Sequence, residues 1–339
     1  MKVWEEKLKI GVVGAGSWGS ALAYYFSILG FNVNLWVREE ELFDDLIKKR
    51  ENTFFLKGVK FNSRVKFSKD FLDFNKEDII FLAVPVQFLR EVLKDLKIYL
   101  ERKKDFVNCS KGIEIETLKI PSQIIKEELK GKIKNIASLS GPTFAKEVVQ
   151  GFPTAAVFAS ENENFSKYLQ EKFSSLRFRF YRSKDIKGVE LAGALKNIYA
   201  IGSGIIKALN LGANTWASYL TRSLHEMKRF CLHFGGNEET LSGLAGFGDL
   251  VLTSSSSNSR NFQVGFKIGK GENLKTIIGN MNMVAEGVYT LRAVYKISKE
   301  RKISMPIAEA LYKILYKKMD LNKAIEKLMI RELKEEGKL

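Results

Sequence analysis

A glycine-rich hexapeptide near the start of the chain limits the fold more than any other feature. Gly14-Ala15-Gly16-Ser17-Trp18-Gly19 follows the apolar run from Leu8 to Val13 and opens a helical pattern from Ala21 to Leu29. In this pattern the first glycine permits a tight turn, the second lets a pyrophosphate approach the backbone, and the third lets the helix pack closely on the strand. The hexapeptide therefore predicts a strand–turn–helix unit whose helix N-terminus binds a dinucleotide.

The first half of the chain alternates short apolar runs with helical patterns such as Val86 to Leu100. The runs that read as strands are Leu8 to Val13, Phe31 to Trp36, Asp78 to Val84, Phe106 to Cys109 and Ile136 to Leu139. Strands and helices in this alternation predict a parallel sheet with crossover helices. Pro85 suits the end of a strand followed by a helix, because its fixed φ fits the first helical turn.

The pattern changes after about Ser183. It is helical from Gly188 to Phe234 with an interruption near Asn210, and further helices follow from Glu238, ending in Ala308 to Leu333. A chain of 339 residues is long enough for about two domains. We predict an α/β protein with a Rossmann-type dinucleotide-binding domain at residues 1–183 and an all-α substrate and catalytic domain at residues 184–339.

The composition is ordinary for a globular protein except for its charge. The 55 Lys and Arg outnumber the 39 Asp and Glu, which gives a formal charge of +16. Nucleic-acid binding, an anionic small ligand and a lysine-rich solvated surface all fit that excess. The longest like-charge runs, Lys48 to Arg50 and Arg102 to Lys104, are short and lie close to acids, so the solvated surface is favoured.

Cellular location follows from what the sequence lacks. Cys109 and Cys231 are too few for a disulfide framework, which indicates a reducing compartment. Acidic residues stand near the start, where a signal peptide would begin its apolar run, and no window approaches the ~18 apolar residues of a membrane span. We expect a soluble, cytoplasmic protein that does not insert into a membrane.

The second predicted strand ends next to a residue that bears on the choice of cofactor. Arg38 lies nineteen residues after Gly19, where an acid would bond the ribose 2′-hydroxyl of NAD and an arginine accommodates the 2′-phosphate of NADP. Glu39 is adjacent and is able to bond a ribose. The sequence predicts use of NADP(H), with NAD(H) as the alternative.

Lysines are the best candidates for proton transfer. His225 and His233 lie in a helical stretch away from any glycine-rich turn, and the chain lacks the clustered ligands of a metal site, so no metal is expected. Lys111 lies just past a predicted strand, at the edge where open α/β sheets bind ligands. Lys196 borders a stripe of small or short residues, namely Gly193, Asn197, Ala200 and Gly204, that allows close approach of a backbone or a ligand. A partly desolvated lysine has a lowered pKa and acts as a general acid or base, although a lysine beside a helix-packing seam fits the same pattern.

Two further groups in the second half suit a phosphorylated substrate. Asp249 stands in Gly246-Phe247-Gly248-Asp249-Leu250 and is a plausible partner for a catalytic lysine or a substrate hydroxyl. The run Ser259-Arg260-Asn261 offers a guanidinium fork beside an amide, which suits a phosphate.

With these motifs in order, the chain resembles the bacterial NAD(P)-dependent glycerol-3-phosphate dehydrogenases from Lys9 to about Lys318. The resemblance is carried by the glycine hexapeptide and by Ser110-Lys111-Gly112, Ser140-Gly141-Pro142-Thr143-Phe144-Ala145, Lys196-Asn197, Gly248-Asp249-Leu250, Ser259-Arg260-Asn261 and Val284-Ala285-Glu286-Gly287. The departures are a short extension, Met1 to Leu8, a phenylalanine at position 247 where a smaller aliphatic residue is more usual, and four serines at 254–257.

The resemblance implies an activity and a role for each matched residue. Dihydroxyacetone phosphate would be reduced to sn-glycerol 3-phosphate for glycerophospholipid synthesis by a homodimer, with Lys196 as the proton donor and acceptor at the C2 oxygen. The implied substrate-binding residues are Lys111, Gly141, Thr143, Asp249, Ser259, Arg260 and Asn261. The implied cofactor-binding residues are Gly14, Gly16, Ser17, Trp18, Gly19, Arg38, Lys111, Ala145, Arg260, Val284 and Glu286.

Two alternatives stay open from the residues. A related two-domain reductase acting on a 3-hydroxyacid or on ketopantoate shares the domain plan, but the Ser259-Arg260-Asn261 run favours a phosphorylated substrate. A dinucleotide-sensing protein that uses its basic surface on nucleic acid would give Lys111, Lys196 and Asp249 no reason to coincide. We therefore expect no nucleic-acid partner.

Overall fold

The computed structural model describes residues 8–333 and 335–336, and the extension before Leu8 lies outside the described residues. The chain divides into two compact units. The first combines the residues up to Ser110 with Pro121–Ile186, and the second combines Lys111–Ile120 with the residues from Lys187 onward. The predicted boundary between residues 183 and 184 assigns the Lys111–Ile120 segment to the first domain. In the structure this segment belongs to the second unit, where Ile113 and Ile120 are buried in the core.

The first unit is built on an eight-stranded sheet in the order β3-β2-β1-β4-β5-β6-β7-β8. All neighbouring strands are parallel except β6 and β7, which are antiparallel. The strands are β1 (Lys9–Val13), β2 (Asn32–Trp36), β3 (Val65–Ser68), β4 (Ile79–Leu82), β5 (Lys104–Asn108), β6 (Ile133–Ser140), β7 (Thr154–Ala159) and β8 (Phe178–Ser183). This doubly wound sheet confirms the predicted Rossmann-type fold.

Helices cover this sheet and close its core. They are α1 (Ser17–Ile28), α2 (Glu40–Lys49), α3 (Val86–Tyr99), α4 (Pro121–Glu128), α5 (Ala145–Val149) and α6 (Glu163–Phe173), with a 3₁₀ helix at Phe71–Lys76. Buried aromatic rings from α1, β4 and α6 meet beneath them, with ring centroids 4.7 Å apart for Phe26 and Phe173 and 5.6 Å apart for Phe81 and Phe173. As predicted, Pro85 stands directly before α3.

Three strands of the sheet escaped the sequence prediction. β3 is only four residues long, and β7 contains three alanines, which have little tendency to form strands. β8 alternates buried phenylalanines with arginine and tyrosine, and it lies at the edge of the sheet, where one face is free to be polar.

The second unit is helical in the part of the chain that the structure describes. Its helices are α7 (Ile186–Ala208), α8 (Gly212–His233), α9 (Glu238–Ser242), α10 (Asp249–Ser255), α11 (Arg260–Gly269), α12 (Leu274–Gly279), α13 (Glu286–Glu300), α14 (Pro306–Lys317) and α15 (Leu321–Met329), with a π-helical turn at Leu244–Gly248. The stretch from Ala308 to Leu333 holds two helices, because Lys318 adopts a left-handed conformation and Asp320 caps α15. None of the helices so described is long and apolar enough to cross a membrane.

The stripe of small residues on α7 is part of a contact between two helices. A Cβ on Gly204 would overlap the Phe262 carbonyl oxygen of α11, and a Cβ on Gly265 would overlap the Ile201 carbonyl oxygen of α7. The stripe allows close approach of either a backbone or a ligand, and at Gly204 it is the backbone of α11 that lies against it. The contact fixes α7 and α11 against each other, and each helix carries candidate site residues.

Candidate functional site

The three glycines of the hexapeptide meet different surroundings in the first unit. Gly14 has a φ of +110°, and a Cβ there would lie 2.7 Å from the Ala83 carbonyl oxygen. A Cβ on Gly19 would overlap the carbonyl oxygen of Gly14, so helix α1 packs directly against the turn. A Cβ on Gly16, in contrast, would meet nothing within 4 Å. The turn therefore has its open side at the middle glycine and the N-terminus of α1, which fits a pyrophosphate.

The other candidates of the first unit lie on loops that follow its strands or at the starts of the helices α1 and α5. Arg38 is exposed just after β2, with its guanidinium 5.7 Å from the centre of the Phe88 ring. Gly141 follows β6 with a φ of +147°, and its carbonyl accepts a hydrogen bond of 3.2 Å from the Thr143 hydroxyl. Ala145 begins α5. Ser17 and Trp18 begin α1 and are partly buried.

The second unit brings two lysines onto one carboxylate. Lys196 Nζ donates to Asp249 Oδ1 at 2.9 Å, and Lys111 Nζ donates to Asp249 Oδ2 at 2.6 Å. Lys196 also donates to Thr253 Oγ1 at 2.7 Å. The side chain of Asp249 is 1% exposed, that of Lys196 is 9% exposed and that of Lys111 is 18% exposed. We call these four residues the lysine–aspartate cluster.

Burial and charge act in opposite directions on this cluster. Burial lowers the pKa of the Lys196 ammonium to about 8; the charge of Lys111 also lowers it, while that of Asp249 opposes the shift. Burial alone would raise the pKa of the Asp249 carboxyl, but the two ammonium groups hold it below its ordinary value. At neutral pH the carboxylate is therefore ionised, and Lys196 is close enough to its pKa to exist in both protonation states.

A chain of amide hydrogen bonds supports the cluster from α7. Asn197 donates to the Lys111 carbonyl oxygen at 3.3 Å and accepts from the side chain of Asn261 at 2.9 Å. Asn261 in turn accepts from the backbone N–H of Gly287 at 2.9 Å. The backbone of Lys111 and the starts of α11 and α13 are thereby tied to the helix that carries Lys196.

The Ser259-Arg260-Asn261 run forms the start of α11. The Ser259 hydroxyl caps the helix by accepting from the Phe262 N–H at 3.2 Å. Arg260 donates to the Val284 carbonyl oxygen at 2.7 Å, and burial lowers the pKa of its guanidinium while the charge of Glu286 opposes the shift. The side chains of Ser259 and Asn261 therefore contact the protein itself, whereas the first N–H groups of α11 have no partner within the helix.

The structure thus places the candidates in two sets, one in each unit. The second unit brings together Lys111, Lys196, Asp249, Ser259, Arg260, Asn261, Val284 and Glu286. His225 is partly buried and His233 is exposed on α8, and neither is a member of the lysine–aspartate cluster. Among residues 8–333 and 335–336, no group of three or more His, Cys, Asp and Glu side chains is arranged to hold a metal ion.

Sequence reasoning missed Thr253. Its hydroxyl lies 2.7 Å from Lys196 Nζ and 3.2 Å from Asp249 Oδ1. Thr253 follows Asp249 by four residues on α10, so the helical repeat places both on one face. That spacing was the available signal. The serine-rich stretch at 254–257 obscured it, because such a stretch is more typical of a loop than of a helix.

Two family models match the chain, and together they span nearly all of it. The model described as the NAD-dependent glycerol-3-phosphate dehydrogenase N-terminus matches residues 9–166, and that of the C-terminus matches residues 185–326. A glycerol-3-phosphate dehydrogenase (NAD(P)+) of Geobacter sp. strain M21 is 43% identical over 331 residues, which are 97% of this chain and 99% of that protein.

Solved structures agree with these matches. The glycerol-3-phosphate dehydrogenase of Coxiella burnetii superposes with a TM-score of 0.92 at 36% identity, covering 96% of this chain and 99% of that one. The yeast enzyme of the same name from Saccharomyces cerevisiae gives a TM-score of 0.82 at 27% identity, covering 96% of this chain and 100% of that one.

Proposed function

The chain belongs to the family of NAD-dependent glycerol-3-phosphate dehydrogenases, and from this premise we propose how its residues perform the reaction. It is an NAD(P)-dependent oxidoreductase that interconverts dihydroxyacetone phosphate and sn-glycerol 3-phosphate. Family membership also sets aside the hydroxyacid and ketopantoate reductases. The assignment of residues to steps is the proposal.

The observation that carries the proposal is the lysine–aspartate cluster. Bound NAD(P)H supplies a hydride to the carbonyl carbon of the substrate, and negative charge then grows on the C2 oxygen. A protonated Lys196 beside that oxygen stabilises the charge and donates the proton, and the neutral lysine accepts it in the reverse direction. The pKa of about 8 supports both roles, because neither form of Lys196 is rare near neutral pH.

Lys111, Asp249 and Thr253 hold Lys196 in position. The shared carboxylate fixes both ammonium groups, and the Thr253 hydroxyl accepts the second hydrogen bond of Lys196. Two cations against one carboxylate leave a net positive charge, which favours a phosphorylated substrate. We propose that Lys111 contacts both the substrate and the cofactor.

The start of α11 is proposed to bind the substrate phosphate. Arg260 supplies a fixed positive charge, and the helix N-terminus supplies N–H donors. Because the side chain of Asn261 is engaged by Asn197 and Gly287, its contact with substrate would come from its backbone N–H. Ser259 would cap the helix beside the phosphate. The family pattern assigns Gly141 and Thr143 to the substrate as well.

The dinucleotide is assigned to the glycine turn and to residues that the family pattern matches. Gly14, Gly16 and Gly19 with Ser17 and Trp18 would bind the pyrophosphate side, and Arg38 the 2′-phosphate of NADP(H). Arg38 is exposed and free of any resolved ion pair with a described residue, which suits a phosphate. Ala145, Arg260, Val284 and Glu286 would contact the remainder of the cofactor.

We extend the proposal to the cellular setting. The product is the glycerol backbone of phospholipids, so the enzyme would serve glycerophospholipid synthesis. It would act in the cytoplasm as a homodimer.

The test is oxidation of NADH and NADPH with dihydroxyacetone phosphate as acceptor. Lys196→Met should lower kcat by about 10²–10⁴-fold with little change in the Kd of the coenzyme, because it removes the proton donor. Lys207→Met is the matched control, since Lys207 is exposed in the last turn of the same helix.

Two outcomes would change the proposal. Near wild-type turnover of Lys196→Met removes this lysine from the mechanism, and no oxidation of either coenzyme contradicts the reaction itself. If catalytic efficiency favours NADH by more than about 100-fold, Arg38 does not bind a 2′-phosphate.

A further inference from the structure

One edge of the first unit carries a run of exposed basic residues. Residues 167–184 contain six bases and one acid, Glu171, a net charge of +5 out of the +16 of the whole chain. The six bases are all exposed: Lys167, Lys172, Arg177, Arg179, Arg182 and Lys184. We call this the β8 basic surface, because it spans α6, the following turn and the edge strand β8. None of its residues belongs to the proposed site.

Much of this charge has no counter-ion. Lys167 lies 3.9 Å from Glu171, and Lys184 lies 2.6 Å from Glu163. The three arginines form no ion pair with any residue that the structure describes, and Arg179 instead lies 5.3 Å from the centre of the Tyr181 ring. Their guanidinium groups therefore present positive charge to the solvent.

An apolar side chain projects from the middle of this charge. Leu176 is fully exposed, and the turn that carries it is closely hydrogen-bonded. The Ser175 hydroxyl accepts from the backbone N–H of Phe178 at 3.0 Å and of Arg177 at 3.3 Å, and Tyr25 Oη lies 3.1 Å from the same hydroxyl. A turn held in this way keeps Leu176 in the solvent.

Protection of a sheet edge explains only part of the arrangement. Charged residues on an edge strand prevent pairing with another sheet, and Arg179 and Arg182 on β8 suit that purpose. Edge protection requires neither an exposed leucine nor bases on the turn and on α6. An exposed apolar side chain surrounded by cations fits the surface of an anionic membrane. The lipid phosphates attract the cations, and the leucine inserts at the boundary of the acyl chains.

We propose that the β8 basic surface docks the protein peripherally on an anionic phospholipid surface. Arg177 and Arg179, which share one face of the strand, contact lipid phosphates, and Leu176 reaches the boundary between headgroups and acyl chains. Nucleic acid, which also carries phosphates, makes no use of the exposed leucine. An acidic protein would need an apolar pocket matched to a single side chain.

The experiment is co-sedimentation of the full chain with vesicles of phosphatidylcholine, alone or with 30 mol% phosphatidylglycerol, in roughly 0.05 M and 0.5 M NaCl. We expect binding only to the anionic vesicles and only at low salt. Arg177→Glu with Arg179→Glu should lower the partition coefficient by more than about 100-fold, and Leu176→Ser should lower it about tenfold. Both variants should keep the wild-type kcat, which reports intact folding.

The control is Lys48→Glu with Lys57→Glu, which changes the net charge equally at exposed sites elsewhere in the first unit. Partitioning that falls equally in this control indicates attraction by net charge alone and overturns the proposal. Absence of binding to anionic vesicles overturns it as well. So does a changed oligomeric state of the arginine variant, or salt-sensitive binding to a DNA duplex without vesicle binding, because these assign the surface to a second copy or to nucleic acid.

Discussion

A single carboxylate organises the proposed chemistry at the scale of residues. Asp249 accepts from Lys196 with one oxygen and from Lys111 with the other, so it is the one residue of the cluster that contacts both lysines. Its charge also opposes the effect of burial on Lys196. The pKa of the proposed proton donor therefore depends on its burial and on a residue that we do not place in the proton transfer itself.

The pH dependence of turnover tests this coupling. Reduction requires protonated Lys196, so its kcat should fall as pH rises through about 8, and oxidation of glycerol 3-phosphate should rise over the same range because it requires the neutral lysine. Asp249→Asn removes the negative charge that raises the pKa of Lys196. The pH dependence of both the reduction and the oxidation should therefore move to lower pH, while kcat falls.

The measurement is kcat against pH in both directions. Glu238→Gln is the control, since Glu238 is an exposed carboxylate that pairs with Lys228 in the same unit, and its profile should match the wild type. If the pH dependence of Asp249→Asn matches that of the wild type in either direction, the charge of Asp249 does not control the pKa of Lys196.

At the scale of elements, the glycine hexapeptide was the most predictable part of the molecule. The turn between β1 and α1 depends on local backbone geometry and on contacts with adjacent residues, and both are written in a short sequence pattern. The start of α14 is the opposite case. Glu226 on α8 accepts from the N–H groups of Ile307 at 2.6 Å and Ala308 at 3.1 Å and so caps α14 from a distance of about eighty residues. No sequence pattern near the start of α14 predicts such a cap.

Two alanine substitutions in the hexapeptide should separate folding from cofactor binding. Gly19→Ala places a Cβ against the Gly14 carbonyl and should lower the free energy of unfolding by about 1–3 kcal/mol. Gly16→Ala meets no atom within 4 Å at a φ of −65° and should change it by less than about 0.5 kcal/mol. The same Gly16→Ala methyl group would fill the space proposed for the pyrophosphate, so its coenzyme Kd should rise at least about tenfold.

Urea unfolding and coenzyme titration of both variants measure these effects, and each variant is the control for the other. If Gly16→Ala binds coenzyme as the wild type does, the open side of the turn is not the pyrophosphate site.

At the scale of the whole molecule, each of the two units has its own core. Aromatic rings from helices and sheet fill the first, and helices from α7 onward enclose the second. Length and the change of pattern after Ser183 were enough to predict two domains. The segment Lys111–Ile120 was not predictable in this way, because it interrupts the first unit in sequence while its isoleucines are buried with the second.

The net charge predicts how the stability of the molecule depends on salt. A formal charge of +16 creates repulsion that is stronger in the compact state, and most ion pairs of the described residues are exposed and so contribute little. The free energy of unfolding should therefore rise by about 1 kcal/mol between roughly 0.02 M and 0.5 M NaCl, as salt screens the repulsion.

Urea unfolding across that salt series measures the effect. Lys48→Glu with Lys57→Glu lowers the net charge and should show a smaller rise. A fall in stability with salt would mean that ion pairs outweigh the repulsion.

The sequence by itself determined the dinucleotide turn, the five strands of the parallel part of the sheet that it predicted, the helical second half and the kinds of residue available for chemistry. These depend on local geometry and on the periodicity of apolar residues. Only the tertiary structure decided which of the 55 bases meet at one carboxylate: Lys111 lies 138 residues from Asp249 in sequence, and Lys196 lies 53 residues from it. The pKa of Lys196 belongs to the same class, because burial and the distance to other charges are properties of the folded chain.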